Sequence, residues 1–514
     1  MDIRISFRMI PFRVLERKEM KRPLRLIHSV SLVVIGLALI GCEVGPNFRR
    51  PEPPTTKDYT PRAMPEKTSA TSGIAGEAQR FLPGQDIPDQ WWTLFHSKEL
   101  DQVIRQGLAD SPTLVVAQAT LREAQENLRA LVGEVAFPAV DGNVSAQRQK
   151  ISGASFGQPN APGNLFNLYN ASVSVSYALD LFGGGRRELE ALRSQVDFQS
   201  YQLEGAHLTL TSNIITTAIQ EASLRDQIRT TQEMVTSMEK QVGLVERQFL
   251  LGGASRSDLL AQQTQLAQTR ATLPPLELNL AQTRHRLAVL VGQLPSEAVL
   301  PEFQLQSLQL PEDLPVSLPS SLVRQRPDVL ASEAVLHQAS AQIGVATAAM
   351  FPQITLSGNY GSETSGVHDL FTAGTSVWRI GAGLLQPLFH GGQLSAQRRA
   401  AIAAYDQAAA QYRETVLEAF QNVADVLRAL ELDADLLKAQ AEAEASARES
   451  LNMTQKQFEL GAVNFLSLLD AQRQQRLAQV ILIQAQARRY SDTVALFQAL
   501  GGGWWNRDGK IKAD

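Results

Sequence analysis

Two stretches of about 70 residues without a single proline, 184–250 and 391–460, constrain this chain more than any other feature. Each would run about 100 Å as one α-helix, whereas helices of globular domains average about a dozen residues. Ile228, Val235, Met238, Val242, Val245 and Phe249 fall on heptad spacing with only Thr231 polar, which is a coiled-coil seam. Elsewhere these stretches are rich in Ala, Gln and Ser, which allows close helix contact and tolerates water on the other face.

The long stretches recur because the chain repeats itself once. Ser111-Pro112 opens a helical pattern that ends at Phe137-Pro138, and Arg326-Pro327 opens one that ends at Phe351-Pro352. Leu181-Phe182-Gly183-Gly184 answers to Leu388-Phe389-His390-Gly391, and Phe249-Leu250-Leu251-Gly252 to Phe458-Glu459-Leu460-Gly461. Leu290-Val291-Gly292 answers to Ala499-Leu500-Gly501. The order is kept at offsets of about 207 to 215, a duplication with small insertions. The copies span 91–294 and 320–503, joined by a Pro-rich linker at 295–319, with a tail at 504–514.

Each copy reads helix, strand, loop, strand, long helix, tight turn, helix. Val173, Val175, Tyr177, Leu179 and Leu181 alternate with Ser172, Ser174, Ser176, Ala178 and Asp180, giving one apolar and one polar face over 171–182. Ile354, Leu356 and Tyr360 do the same over 353–360, as do Trp378, Ile380, Ala382, Leu384 and Leu388 over 377–389. The segment 139–149 is the weakest of the set. Such strands suit either a transmembrane barrel or a soluble half-buried sheet, and the helices favour the barrel. The shorter helices of the two copies, placed end to end in pairs, match the long ones in length. That describes a helical wall capped by four strands. Four strands cannot close a barrel alone, and lipid forbids an open sheet edge, so self-association is required if they span a membrane. Trp378, Tyr177 and Tyr360 suit an interfacial aromatic girdle or ordinary core packing equally.

The first 41 residues read as a signal peptide. Lys21, Arg22 and Arg25 precede an apolar stretch over 30–40, too short to span as a helix. Met20 serves equally as a start. Leu39-Ile40-Gly41-Cys42 resembles the lipobox of bacterial lipoproteins, which implies acylation of Cys42; a buried cysteine beside an ordinary secretory signal is the plainer alternative. Glu43 stands where an inner-membrane retention signal would have Asp, which favours the outer membrane. The span 42–90 is dense in proline and reads as an extended, lipidated tether.

Composition removes other classes. The 514 residues carry 48 Lys+Arg and 52 Asp+Glu, a net charge of −4 with no global basic signal for nucleic acid. One cysteine excludes an internal disulfide framework and a Cys₄ zinc site. The 7 histidines are scattered without an HExxH pair, and no Walker A sequence occurs, so no metal, cofactor or catalytic residue is assigned. Gly153-Ala154-Ser155-Phe156-Gly157 matches a nucleophile elbow but sits between polar loop residues, and reads as the loop between the first two strands. An enzyme is not expected.

Cys42-Glu43-Val44-Gly45-Pro46-Asn47-Phe48, Trp91-Trp92-Thr93-Leu94-Phe95, Leu500-Gly501-Gly502-Gly503-Trp504 and the turns at Gly252 and Gly461, in this order, carry a resemblance. The chain resembles the TolC-like outer-membrane efflux family, and within it the lipoprotein branch serving resistance-nodulation-division pumps. The resemblance covers nearly all of 42–505. It implies an α+β membrane protein whose homotrimer joins a barrel of twelve strands, four from each chain, to a long periplasmic helical barrel. It implies a periplasmic adaptor and an inner-membrane transporter as partners, and outer-membrane lipid around the strands. The implied function is a passive exit duct of a tripartite multidrug efflux system. A duct for type I protein secretion, or a lipid-anchored coiled-coil scaffold without a pore, are the alternatives.

The resemblance also points to the helix tips, at 251–255 and 460–464. Gly252, Gly253 and Gly461 mark the turns and the adaptor-docking end, and Asp258 and Asp470 fall on acidic gate positions. Ser467 and Val463 depart from residues that some members carry there. A ring of carboxylates would repel anions and attract cations. For Asp258 a capping box with Ser255 explains the residue equally well. Asp470 lies deeper in its helix.

Overall fold

A computed structural model describes residues 43–157, 160 and 162–507. Cys42, the signal stretch and the end of the tail lie outside the described residues. The chain divides into two compact units, each gathered from separated stretches. One comprises the residues up to Pro46 with Val132–Glu188 and Ile343–Arg398; the other comprises Asn47–Leu131, Leu189–Gln342 and Arg399 onward.

The helices are α1 (Lys98–Asp110), α2 (Pro112–Ala136), α3 (Gly184–Leu250), α4 (Arg256–Ala271), α5 (Leu273–Leu290), α6 (Pro319–Gln325), α7 (Pro327–Ala348), α8 (Gln393–Glu459) and α9 (Phe465–Ala499). The strands are β1 (Arg80–Pro83), β2 (Ala139–Ile151), β3 (Asn164–Leu179), β4 (Asp313–Val316), β5 (Gln353–Thr364) and β6 (Ser376–Leu385). The two proline-free stretches are single helices, α3 and α8, of 67 residues each. Proline sets the breaks elsewhere. Pro112 and Pro327 each start a helix, where the helical pattern of each copy opens. Pro274-Pro275 parts α4 from α5 at Thr272, whereas α9, with no proline, runs unbroken for 35 residues.

The first unit holds a four-stranded antiparallel sheet in the order β2-β3-β5-β6. The central pair, β3 with β5, joins the two sequence copies. Directly opposed residues share a face, so the register shows the pattern across all strands. One row reads Val140, Val175, Gly358, Ile380 and the next reads Gly142, Val173, Tyr360, Trp378. The opposite face carries the row Asp141, Ser174, Asn359, Arg379. β3 begins upstream of its alternating block, because 164–170 pair with 145–151. β6 stops before Pro387, which lacks a ladder donor, so Leu388 lies beyond the strand rather than on its face. The Gly153–Phe156 segment is a 3-10 turn capped by the Ser152 hydroxyl, with β3 following, and lacks the strand–turn–helix setting of a nucleophile elbow.

The second unit is helical around one large core. Trp91 stacks on Phe497 at 4.9 Å, and the Tyr490 hydroxyl donates to the Leu308 carbonyl at 2.7 Å. The proline-rich segments are built into this core. β1 pairs in parallel with β4 from the linker, and Ile87, Phe303, Leu305 and Leu314 are buried. Arg489, itself buried, donates to Ala75 O at 2.8 Å, Gln79 Oε1 at 3.1 Å and Thr68 Oγ1 at 3.2 Å. The Gly501-Gly502-Gly503 run has φ of +95°, +71° and +73°. A Cβ on Gly503 would sit 2.5 Å from the carbonyl oxygens of Ile87 and Pro88, so only glycine closes this end of α9.

Candidate functional site

The two ends of the duplicated hairpins have the same construction. α3 ends with Gly252 at φ +80°; its N–H donates to Phe249 O and that of Gly253 to Gln248 O at 2.7 Å. α8 ends with Gly461 at φ +74°; its N–H donates to Phe458 O and that of Ala462 to Gln457 O at 2.8 Å. Both are Schellman closures, which need a left-handed residue where glycine stands. The returning helices are then capped. Ser255 Oγ accepts from Asp258 N at 3.1 Å, and Asp258 Oδ2 accepts from Ser255 N at 3.0 Å, a full capping box. Asn464 Oδ1 accepts from Ser467 N at 2.9 Å.

This places the sequence candidates. Asp258 is the N3 partner of its cap, and Ser467 holds the matching place in the second copy. The hydrogen bonds from the Ser255 hydroxyl and N–H hold the Asp258 carboxyl below the usual carboxylate range. Asp470 lies a turn further into α9 and pairs with Arg473 at 2.7 Å, with its side chain 60% exposed. Both acids thus lie at the surface of the single chain. The tips also expose Leu250, Leu251, Leu460 and Leu466.

Behind the tips the hairpins are joined. Val245, Phe465 and Leu468 form a small core with Ala254, Leu259, Leu451, Phe458 and Leu469. Val235, Met238 and Leu266 form another, so the heptad seam is the buried face of α3. Between them Gln241 Oε1 on α3 accepts from Gln262 Nε2 on α4 at 3.1 Å and from Gln472 Nε2 on α9 at 2.5 Å. Arg476 on α9 donates to Thr269 Oγ1 on α4 at 2.9 Å, and burial, then neighbouring Arg473, hold its pKa below the usual range. Sequence reasoning missed this polar joint. A signal was present, because Gln262, Leu266 and Thr269 follow i, i+4, i+7 and lie on one face.

The sheet supplies the second functional surface. Val144, Tyr360, Trp378, Ile380 and Leu384 are 67–81% exposed, on the face opposite Asp141 and Arg379. Water does not favour a row of exposed Ile, Trp and Val, and lipid does. Among the described residues no helix is long and apolar enough to cross a membrane, so the strands are the membrane-suited elements. The same residues contain no group of three or more His, Cys, Asp and Glu able to hold a metal.

A four-stranded sheet with an exposed apolar face and two 67-residue helices in one chain point to a class, the outer-membrane channel with a helical barrel. The comparisons with known proteins then give the family. The chain belongs to the outer membrane efflux protein family, whose model matches residues 103–293 and 318–502. It is 31% identical over 453 residues to the pyoverdine export outer membrane protein OpmQ of Pseudomonas aeruginosa, covering 86% of this chain and 94% of that one. It is 26% identical over 474 residues to the cation efflux system protein CusC of Escherichia coli K12, covering 91% and 98%. The solved outer-membrane channel OprN superposes with a TM-score of 0.80 at 27% identity, over 90% of this chain and all of that one. The protein is therefore the outer-membrane component of a tripartite efflux system, in a family of channels rather than enzymes.

Proposed function

We propose that the chain works as a homotrimeric, lipid-anchored exit duct in the outer membrane of a Gram-negative cell, opened at its helix tips. The observation that carries this is the sheet: four strands with an exposed apolar face and two edges, β2 and β6, without a partner strand among the described residues. An edge in lipid must be paired, and threefold association pairs every edge in a barrel of twelve strands. The long helices of three chains then form a periplasmic tunnel continuous with the barrel. Acylation of Cys42 anchors the amino terminus in the inner leaflet.

The tips are the gate and the docking end. Asp258 and Asp470, both carboxylic side chains, ring the axis and set a barrier to anions. The Gly252, Gly253 and Gly461 turns present Leu250, Leu251, Leu460 and Leu466 to a periplasmic membrane-fusion adaptor, and an inner-membrane resistance-nodulation-division transporter supplies the energy. Relatives named for pyoverdine export and for cation efflux differ in cargo but match this chain over most of their length. That supports a multidrug duct whose selectivity lies mainly in the pump.

Ion conductance of the purified protein in a planar bilayer tests this, with wild type beside Asp258→Ala/Asp470→Ala. Discrete steps that grow in the double variant support a pore with its constriction at the tips. Steps of unchanged size keep the duct and move the gate elsewhere. No steps from inserted trimers would overturn the duct and favour a pore-less scaffold.

A further inference from the structure

We infer that Arg187 is a positioning residue for the amino-terminal anchor: with Gly344 and Gly183 it clasps residues 43–45 at the corner where β3 turns into α3. The inference rests on the reading of Cys42 as the acylated residue, and adds a built seat directly after it.

The seat is made from three parts of the first unit. Arg187 lies in the first turn of α3 with its side chain 3% exposed, and its Nε donates to the Val44 carbonyl at 3.2 Å. The same nitrogen faces Glu43 Oε1 at 3.4 Å. Val44 N–H donates to the Phe182 carbonyl at 3.1 Å, so both backbone polar groups of Val44 are held by the corner. The Arg187 stem lies flat over Gly344 of α7, where a Cβ would meet its Cγ at 2.6 Å and its Cδ at 2.8 Å. Gly45, at φ +97°, approaches the same glycine so closely that its own Cβ would lie 2.5 Å from Gly344 Cα. A Cβ on Gly183 would lie 2.8 Å from Glu43 Cγ.

Chain ends ordinarily fray unless something ties them down. A buried guanidinium is costly unless its hydrogen bonds are made, and here one of them goes to terminal backbone. Glycine stands at three points of close approach, Gly45, Gly183 and Gly344. Such construction around three residues makes sense if the terminus carries load, as a lipid anchor does. Holding residues 43–45 against the strand-to-helix corner fixes where an anchor attached one residue upstream leaves the protein relative to the barrel. Insertion of the strands is then aligned with the leaflet that holds the acyl chains.

The test uses the full chain with Arg187→Ala and, separately, Gly45→Val, which unseats the terminus without entering the sheet or the helical core. Cleavage after Glu43 by a glutamate-specific protease reports whether the seat is closed. Losing a charge-assisted hydrogen bond should speed cleavage by about tenfold or more. Trimer formation is followed after pulse labelling in two backgrounds, the acylated chain and Cys42→Ser exported by a non-lipoprotein signal. Slower assembly in the acylated chain, with little change in Cys42→Ser, is the result expected of an anchor-positioning residue. Equal slowing in both backgrounds would show a merely structural role and overturn the inference, as would unchanged cleavage or unchanged assembly. The mass of the amino-terminal peptide decides the acylation reading separately: an unmodified Cys42 in wild type sinks the anchor, while cleavage still judges the seat.

Discussion

Replacing Gln241 by alanine should loosen the tips. Its Oε1 is the acceptor for amide groups on two other helices, one from Gln262, which is fully buried, and one from Gln472, which is 8% exposed. Both partners already carry a buried Oε1 without a hydrogen-bond partner. Alanine would leave two more donors unsatisfied, at about 1–3 kcal/mol each. Water entering the space reduces this, so the lower bound of about 2 kcal/mol per chain is the working figure, a factor of about thirty. In a threefold assembly that opens as a unit the shifts add to about 6 kcal/mol. Gln241→Glu keeps the acceptor and should keep the tips closed. Single-channel recording in planar bilayers would read this as a larger open fraction for Gln241→Ala than for wild type or Gln241→Glu. Equal open fractions in inserted trimers of all three would refute the claim that this joint holds the hairpins together. Alanine and glutamate acting alike would refute the part assigned to the acceptor.

The other predictions concern the sheet, the core and one buried acid. Ile380→Arg puts a charge on the exposed apolar row, at about 2–4 kcal/mol near the bilayer midplane, and should abolish recovery in the outer-membrane fraction; Ser357→Arg, on the polar face, should be tolerated. Gly503→Ala should cost about 3 kcal/mol or more in thermal unfolding, from left-handed strain plus collision with the Ile87 and Pro88 carbonyls, whereas Gly461→Ala, with open space around it, should cost about 1 kcal/mol. Asp492, pushed up to about 8 by burial and then by its hydrogen bond with Asp433 and that residue's charge, keeps its proton in the folded chain where the unfolded chain has lost it. Stability should therefore fall as pH rises from about 4 to about 8 and level off beyond. Asp492→Asn should flatten that slope and raise the melting temperature at pH 8, and an unchanged slope would assign the pH dependence to other groups.

Much of the architecture was legible because its signals are local. Proline absence marked α3 and α8, since one proline would have broken either helix, and period-two alternation marked which strand face is apolar. The repeated turn around Gly252 and Gly461 announced two equivalent tips, because a Schellman closure needs glycine at a set place after the helix. The capping-box spacing at Ser255 and Asp258 likewise foretold the bonds that form. Chain order could not show that 164–170 continue β3 or that the linker strand β4 takes up β1, because backbone pairing between distant segments leaves little mark on either one.

Spatial convergence decided the rest. Gln241, Gln262 and Gln472 look like ordinary polar residues of three separate helices until packing brings them to one acceptor. Arg187 and Gly344 stand 142 and 299 residues from Gly45 along the chain, and only folding sets the cation over the glycine and against the backbone of residues 43–45. Periodicity and proline act through neighbours along the backbone, so the sequence by itself determined the elements, their duplication and the faces they bury. A buried polar contact depends on which distant atoms exclude water together, and that is a property of the tertiary structure alone.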